Sequence, residues 1–257
     1  MSRLVALHAG GSREPWQKLG LSFTGNSCLL ADVDLTITDD PLGLHSWTID
    51  VGVDDVCDID GIATTLVSTS PGHPATSRIG SHTITGLDHV VVNTDNLDRT
   101  CAAIEAVLGL DVRREREVGN GVVQRFHKLD NTIIEVVTGP HITTVGASLW
   151  GMVASIDDLF EYCESLGHDI ASPPKRATQP GRYISTVRGA TGLGVPFAMM
   201  TPPRSKITVS TARPAVIPSV LPAPCGAAKA AITAPRVGWE TACQSSTKSS
   251  VPATASG

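Results

Sequence analysis

The chain has 257 residues, 41% of them hydrophobic, and a formal net charge of −5, a composition that suits one large or two modest soluble domains. Acidic and basic residues are interspersed, so no basic stripe favours nucleic acid as a partner. No window approaches the roughly 20 apolar residues that cross a bilayer, and residues 1–16 break into Gly, Ser and charges before a signal-type segment forms, so we expect a cytoplasmic protein without a membrane partner.

The N-terminal region, residues 1–67, is predicted to be β-rich. Its stretch "KLGLSFTGNSCLLADVDLTITDDP" shares Leu-Gly-Leu and Gly-Asn with a later part of the chain and ends in a β-rich run. Two interpretations stay open: a partial copy of the module described below, lacking its first strand, or an unrelated β-rich extension. In the first case "LHSWTIDV" (44–51) is a candidate for the missing strand. The Ser-, Thr-, Pro- and Gly-rich residues 68–85 then indicate a linker.

An internal repeat follows the linker. The stretch "LDHVVVNTDNL" at 87–97 aligns with "LWGMVASIDDL" at 149–159, sharing Leu, Val, Asp and Leu at matched positions. The closing runs also align, because "IIEVVTGP" at 133–140 and "PFAMMTPP" at 196–203 keep Thr and Pro at equivalent places. Such self-similarity predicts two copies of one supersecondary unit.

Each copy has the pattern strand, helix, strand, strand, strand. In the first copy Asp95 or Asn96 stands where an N-cap is wanted, apolar residues then recur at helical spacing, and Gly109 ends the helix. Three short strand-like runs complete the copy. We therefore predict two βαβββ modules, at 86–140 and 141–203.

Residues 204–257 are dense in Ala, Ser, Thr and Pro, without sustained period-2 or period-3.6 patterning. This composition cannot bury enough apolar surface to offset the entropy of the chain. We predict a disordered C-terminal tail.

Residues 86–203 resemble the vicinal oxygen chelate (VOC) superfamily, which includes glyoxalase I, extradiol dioxygenases and bleomycin-binding resistance proteins. The stretches "LDHVVV", "TDNLDRTCAAIEAVLGL" and "TIIEVV" carry the resemblance, and "QPGRYISTVRGATGLGVPFAMM" is similar to uncharacterised bacterial glyoxalase-like proteins. The resemblance implies an α+β fold in which paired βαβββ modules form a cupped mixed β-sheet. It is poor evidence for a reaction, because this superfold carries several unrelated chemistries.

Two residues of the first module are candidate metal ligands. Strand parity puts Leu87, His89 and Val91 on one face and Asp88 on the other, and it gives Glu135 a defined face as well. The resemblance implies that these two strands are neighbours lining the cup, and that His89 and Glu135 match ligand positions, with Glu135 also catalytic. Imidazole and carboxylate donors suit Fe, Mn, Ni, Co or Zn.

The second module departs from the ligand pattern. The alignment puts Gly151 opposite His89 and Ala198 opposite Glu135, and neither side chain can coordinate a metal. His127, on the strand next to Glu135 in sequence, is the candidate third ligand. His141 and His45 are weaker candidates. A homodimer that pairs two copies of the site on a twofold axis is a further alternative.

Two function classes remain open. With a metal, the protein is a glyoxalase-like lyase, isomerase or dioxygenase that chelates neighbouring oxygens of a small molecule, with Arg125 and Arg182 as candidate substrate-binding groups. Without a metal, it is a bleomycin-resistance-like protein that binds or sequesters a small molecule in the same cup. The sequence leaves enzyme status undecided. The absence of Gly-x-Ser-x-Gly, Walker, Gly-x-Gly-x-x-Gly and His-Glu-x-x-His motifs argues against hydrolases, kinases and dehydrogenases.

Overall fold

The computed structural model describes residues 2–68 and 76–203. Within these residues the strands form two mixed sheets, one of six strands and one of nine. The predicted disordered tail, 204–257, lies outside the described residues. No helix in the described ranges is long and apolar enough to span a membrane.

The smaller sheet is built entirely from the N-terminal region. Its strand order is β2-β3-β1-β4-β6-β5, with β1 parallel to β3, β4 parallel to β6, and β1 antiparallel to β4. A short helix connects the first two strands. The elements are β1 (Arg3–Gly10), α1 (Glu14–Lys18), β2 (Ser27–Leu30), β3 (Val33–Thr38), β4 (Gly43–Asp50), β5 (Asp55–Ile59) and β6 (Ile62–Val67).

The larger sheet contains both predicted modules. Its strand order is β9-β10-β11-β8-β12-β15-β14-β13, with β7 paired to β8. The elements are β7 (Ser77–Ile79), β8 (His82–Thr94), α2 (Leu97–Leu108), β9 (Val112–Gly119), β10 (Val122–Lys128), β11 (Ile133–Thr138), β12 (Ala147–Ile156), α3 (Leu159–Leu166), β13 (Lys175–Arg176), β14 (Tyr183–Thr186) and β15 (Phe197–Met200).

The two βαβββ units are confirmed by this order. In each unit the first strand lies parallel to the last, and the two units meet where β8 and β12 pair antiparallel. The first helix has the predicted ends, since the Asn96 side chain accepts a hydrogen bond from the Arg99 N–H at 3.0 Å and Gly109 adopts a left-handed φ of 66°. This arrangement is the α+β VOC fold.

The N-terminal region differs from the prediction of a module without its first strand. Strand β1 is present, so the region does not lack a first strand as the first of the two interpretations held, and residues 44–50 of "LHSWTIDV" form most of β4, the first strand of a second half. The smaller sheet has the strand order of the inner six strands of the larger one, with the outermost strand of each half and the second helix left out. Parts of the predicted linker, residues 77–79 and 82–85, also lie in strands rather than in a connection.

Both sheets share one hydrophobic core. Trp47 and Ile49 of the smaller sheet and Val90 and Met152 of the larger sheet all belong to the same buried cluster. The Tyr162 hydroxyl of α3 adds a polar link, donating to a backbone carbonyl of the N-terminal region at 2.8 Å. The smaller sheet therefore covers the face of the larger sheet that also carries the helices.

The other face of the larger sheet bears a separate set of buried apolar side chains. These residues are outside the common core cluster although they are at most 8% exposed. They come from both modules, as expected for the concave side of paired units, and we call this side the cup face. They include Val91, Val137, Val153 and Met200.

Candidate functional site

A β-bulge in β8 brings Asp88 and His89 to the cup face together. His89 pairs with Val153 of β12, and Leu87 pairs with Ala154, the next residue of β12. One residue of β8 between them therefore has no partner in β12. Asp88 is the extra residue, and its Oδ1 lies 2.9 Å from His89 Nδ1. Leu87 turns into the core and is 1% exposed. Simple parity, which put Asp88 on the opposite face and Leu87 on the cup face, is wrong here because the bulge breaks the period of two.

Glu135 meets His89 from the neighbouring strand. Strand β11 runs parallel to β8 with Glu135 in register with Val91, one pleat beyond His89. Glu135 Oε2 lies 3.4 Å from His89 Nε2, and the Gln124 amide donates to Glu135 Oε1 at 2.6 Å. The side chains of His89 and Glu135 are 14% and 13% exposed, so the pair is largely desolvated but open to the cup. The structure thus brings together the two residues predicted as a pair.

Arg182 anchors the other end of this network. Its Nη2 lies 2.5 Å from Asp88 Oδ2 and 3.2 Å from Ser155 Oγ, and its Nε donates to the Thr201 carbonyl at 2.7 Å. Its Nη1 donates to the Gln179 side chain. With these donors engaged and the side chain 8% exposed, Arg182 holds Asp88 in place. The structure places Arg182, a predicted substrate-binding residue, beside Asp88 at the cup, and its substrate-binding role stays a prediction.

Charge alternates along the line Arg182, Asp88, His89, Glu135. Burial raises the pKa of Asp88, but the hydrogen bonds and charges of His89 and Arg182 outweigh burial and hold that pKa at about 2. Burial lowers the pKa of His89, yet the bond to Asp88 and the charge of Glu135 raise it above its ordinary value. Burial raises the pKa of Glu135, and the charges of His89 and Arg116 oppose this without cancelling it. Glu135 is therefore the carboxylate of the network that takes up a proton most readily.

The structure does not bring His127 to this pair. His127 is in register with Ile134, so it shares the core-facing side of the sheet rather than the cup face. Its Nδ1 is 2.8 Å from the Leu110 carbonyl, and its Nε2 has no partner among the described residues. Burial lowers the pKa of His127, as expected for a neutral imidazole in a core.

Arg125 and the weaker histidine candidates also lie elsewhere. Arg125 is on the helix side of the sheet, where it pairs with Glu115 at 2.7 Å and with Asp98 of α2 at 2.6 Å. Parity along β10 accounts for this, since Arg125 and Gln124 point to opposite faces. His45 lies in β4 of the smaller sheet and His141 in the loop after β11, and neither makes a described contact with His89.

The second module closes its half of the site. The pairing of Val90 with Met152 relates the two modules and makes Gly151 the counterpart of His89, as the alignment predicted. A Cβ at Gly151 would lie 2.5 Å from the Pro196 carbonyl oxygen, so no side chain fits there. Ala198 lies in β15 at the position equivalent to Glu135.

The described donors fall short of a complete metal site. His89 and Glu135 provide one nitrogen and one carboxylate, whereas zinc and open iron sites take three or more protein ligands. No group of three His, Cys, Asp or Glu side chains in the described part of the chain is placed to hold a metal. Asp88 is committed to His89 Nδ1 and to Arg182 instead. The residues present therefore do not match the metal set that the resemblance implies.

Four polar residues of the cup face were not predicted from the sequence. The bulge brings Asp88 to the cup face, where strand parity did not place it. Gln124 lies next to Arg125, which was predicted as a substrate-binding residue instead. Arg114 and Arg116 lie on the cup face of β9, in register with Phe126 and Gln124. The alternating "RERE" of residues 114–117 was a readable signal, because a period of two separates the charges onto opposite faces of a strand.

The strand order and the cup match the fold that the resemblance to the vicinal oxygen chelate superfamily implies. No family model matches the sequence, and no curated protein is significantly similar to it. Among solved structures, methylmalonyl-CoA epimerase from Mycobacterium tuberculosis is 18% identical with a TM-score of 0.41, covering 49% of this chain and 93% of that one. A Streptomyces coelicolor methylmalonyl-CoA epimerase, in complex with 2-nitronate-propionyl-CoA, is 16% identical with a TM-score of 0.39, covering 46% and 97%. A hypothetical protein from Bacillus halodurans is 14% identical with a TM-score of 0.40, covering 46% and 95%. Likeness at this level carries no argument about the reaction.

Proposed function

We propose that this chain is a glyoxalase-like VOC enzyme that binds a small oxygenated molecule in the cup and moves a proton there, with Glu135 as the proton acceptor. The observation that carries the proposal is the contact between Glu135 and His89 on the cup face, 3.4 Å apart and largely shielded from water. A carboxylate held in such a position accepts protons at a higher pH than an exposed one.

The proposed step is proton transfer next to a carbonyl group. The C–H bond breaks and the proton passes to a Glu135 oxygen. The C–H electron pair forms a C=C bond and the carbonyl π pair moves onto oxygen, which gives an enolate. His89, whose Nδ1–H is held by Asp88, directs Nε2 towards the same place and supplies positive charge near the developing anion. Return of the proton from Glu135 to another carbon completes an isomerisation. In an elimination the enolate electrons re-form the carbonyl and expel a leaving group from the β carbon, and the proton passes from Glu135 to that group or to water.

The donor set favours an isomerase or lyase over a dioxygenase. An open iron site for oxygen chemistry uses two histidines and one carboxylate. The cup offers His89 and Glu135, and the position equivalent to His89 in the second module is sealed by Pro196. A divalent metal (Fe, Mn, Ni, Co or Zn) and a homodimer that completes its ligand set remain hypotheses, and the proton transfer described above needs neither.

Metal-free binding or sequestration is the second candidate function. The observation in its favour is the apolar lining of the cup by Val91, Val137, Val153 and Met200, since ligand pockets are mostly apolar with a few polar groups that orient the ligand. In this case Glu135 and His89 contribute hydrogen bonds and charge to binding, and no bond of the ligand changes.

Exchange of carbon-bound hydrogen with heavy water separates the two candidates. The full chain is incubated in D2O with pyruvate, 2-oxobutyrate and malonate, and loss of the C–H signal next to the carbonyl is followed by proton NMR. We expect exchange above the buffer rate for at least one compound, reduced about 100-fold or more in Glu135→Gln, because a positioned acid or base contributes ~10²–10⁴-fold.

Glu115→Gln is the matched control. It removes the same charge from an exposed carboxylate on the helix side of the sheet, and it should exchange like the wild type. No exchange above buffer for any compound, or a wild-type rate in Glu135→Gln, would contradict the proton-transfer proposal. Saturable binding of a compound without exchange would favour the binding protein.

A further inference from the structure

Strand β9 separates its charges between the two faces of the sheet. Arg114 and Arg116 are in register with Phe126 and Gln124, which lie on the cup face with Glu135. Glu115 and Glu117 alternate with them and fall on the helix side. The edge of the cup therefore carries two arginines without an interleaved acidic side chain.

Neither arginine is held by a carboxylate of the described residues at hydrogen-bonding distance, although the charge of Arg116 acts on Glu135. Glu115, the acid between them in sequence, is bound on the far face by Arg125 at 2.7 Å. No hydrogen bond or ion pair joins Arg114 or Arg116 to another described residue, whereas Arg99, Arg125 and Arg182 all have carboxylate partners. Their guanidinium groups are thus available to an anion.

Their distance from the Glu135–His89 pair suits one small molecule. Arg114, Phe126 and Glu135 form a single cross-strand row, so Arg114 starts about 10 Å from Glu135, two spacings of ~4.8 Å between neighbouring strands. Arg116 lies opposite Gln124, whose amide donates to Glu135 Oε1 at 2.6 Å. An arginine side chain spans much of this gap, so a ligand of a few carbon atoms reaches both groups.

We propose that Arg114 and Arg116 bind an oxyanion, a carboxylate or a phosphate, carried by the molecule that occupies the cup. A guanidinium group offers a rigid fork of N–H donors that matches the oxygens of either anion, and two such groups on one strand face can share it. This inference rests on the proposed function, because it assigns the substrate class of the same cup: a small anionic carbonyl compound with the anion at the β9 edge and the reacting carbon at Glu135.

Calorimetric titration of the full chain with malonate and with inorganic phosphate tests the assignment. We expect saturable binding of at least one probe by the wild type, weakened at least tenfold in the double variant Arg114→Gln/Arg116→Gln. Tighter binding of malonate assigns a carboxylate, and tighter binding of phosphate assigns a phosphate group.

Arg176→Gln is the matched control, since Arg176 is an exposed arginine on the edge strand at the opposite end of the same sheet. It should bind within twofold of the wild type, with all variants keeping the wild-type melting temperature within a few degrees. No saturable binding of either probe, an unchanged affinity in the double variant, or an equal loss in Arg176→Gln would overturn the assignment. Glu135→Gln should retain anion binding. The anion-binding result can therefore be interpreted even if the proton-transfer proposal fails.

Discussion

Asp88 and His89 follow one another in β8, and both side chains lie on the cup face, with Asp88 Oδ1 2.9 Å from His89 Nδ1. The bulge that permits this also turns Asp88 Oδ2 towards Arg182, 2.5 Å away. His89 is therefore held on its Nδ1 side by a carboxylate that is itself fixed, and its Nε2 is directed to Glu135. The orientation of the acid–base pair depends on one extra residue in a strand.

Replacing Asp88 should remove a stabilising contribution that is present at neutral pH and is lost in acid. The pKa of Asp88 is about 2 in the folded protein against an ordinary value of 3.8, so the folded state holds fewer protons between these values. The resulting stability, about 2 kcal/mol for a shift of this size, is present above pH 3.8 and is lost as pH falls towards 2. Urea unfolding of wild type and Asp88→Asn between pH 2 and pH 7 should give curves that converge at the acid end.

Asp39→Asn is the control for this experiment, because the side chain of Asp39 is exposed. Its free energy of unfolding should follow the wild type across the whole pH range. A constant difference between Asp88→Asn and wild type at every pH would mean that Asp88 contributes packing rather than an ion pair.

An added methyl group should destabilise the protein at Gly151, where Pro196 fills the space, but not at Gly86. Gly151→Ala would place a Cβ 2.5 Å from the Pro196 carbonyl, so the backbone must shift, and we expect a loss of about 1–3 kcal/mol. Gly86→Ala makes the same chemical change in the neighbouring strand, where nothing lies within 4 Å. Thermal and urea unfolding of the two variants should differ clearly. Equal stability would show that the second module can reopen its ligand position.

Asp60 should stabilise the contact between the two sheets. It lies in the turn between β5 and β6, where its Oδ1 meets Arg99 Nε at 2.5 Å and its Oδ2 accepts a hydrogen bond from Thr100, both on α2. Its backbone carbonyl also accepts from the Ala147 N–H at 2.7 Å. Asp60→Ala leaves these donors without their carboxylate and should cost about 1–3 kcal/mol, whereas Asp169→Ala at an exposed carboxylate should be neutral. Hydrogen exchange of α2 amides should rise in Asp60→Ala alone.

The sequence predicted the fold of residues 86–203 because the repeat and the periodicity agree along most of that range. Asn96 and Gly109 end α2 as their chemistry dictates, and parity placed Glu135 correctly in an unbroken strand. Parity failed at Asp88, since a bulge adds one residue to β8 without a signal in the local composition. Strand β1 was missed because its partners, β3 and β4, are more than 20 residues away and do not show in local patterning.

Site residues could be predicted where a suitable residue type stands at a suitable strand position. They could not be predicted where contacts with distant parts of the chain decide what a residue does. His89 and Glu135 were found on that basis. Arg182 lies near the cup, but its partners Asp88, Ser155 and Thr201 come from three different segments, so these contacts could not be predicted from local sequence. Arg116 required reading the "RERE" alternation as two faces of one strand.

Titration of the Glu135 side-chain carboxyl by 13C NMR tests the central claim most directly, namely that Glu135 is a desolvated proton acceptor coupled to His89. In the wild type we predict that the pKa of Glu135 lies above its ordinary value of 4.5, because burial outweighs the opposing charges of His89 and Arg116. In His89→Gln one opposing charge is gone, so the pKa of Glu135 should rise further. A wild-type pKa at or below 4.5, or no response to His89→Gln, would contradict the account.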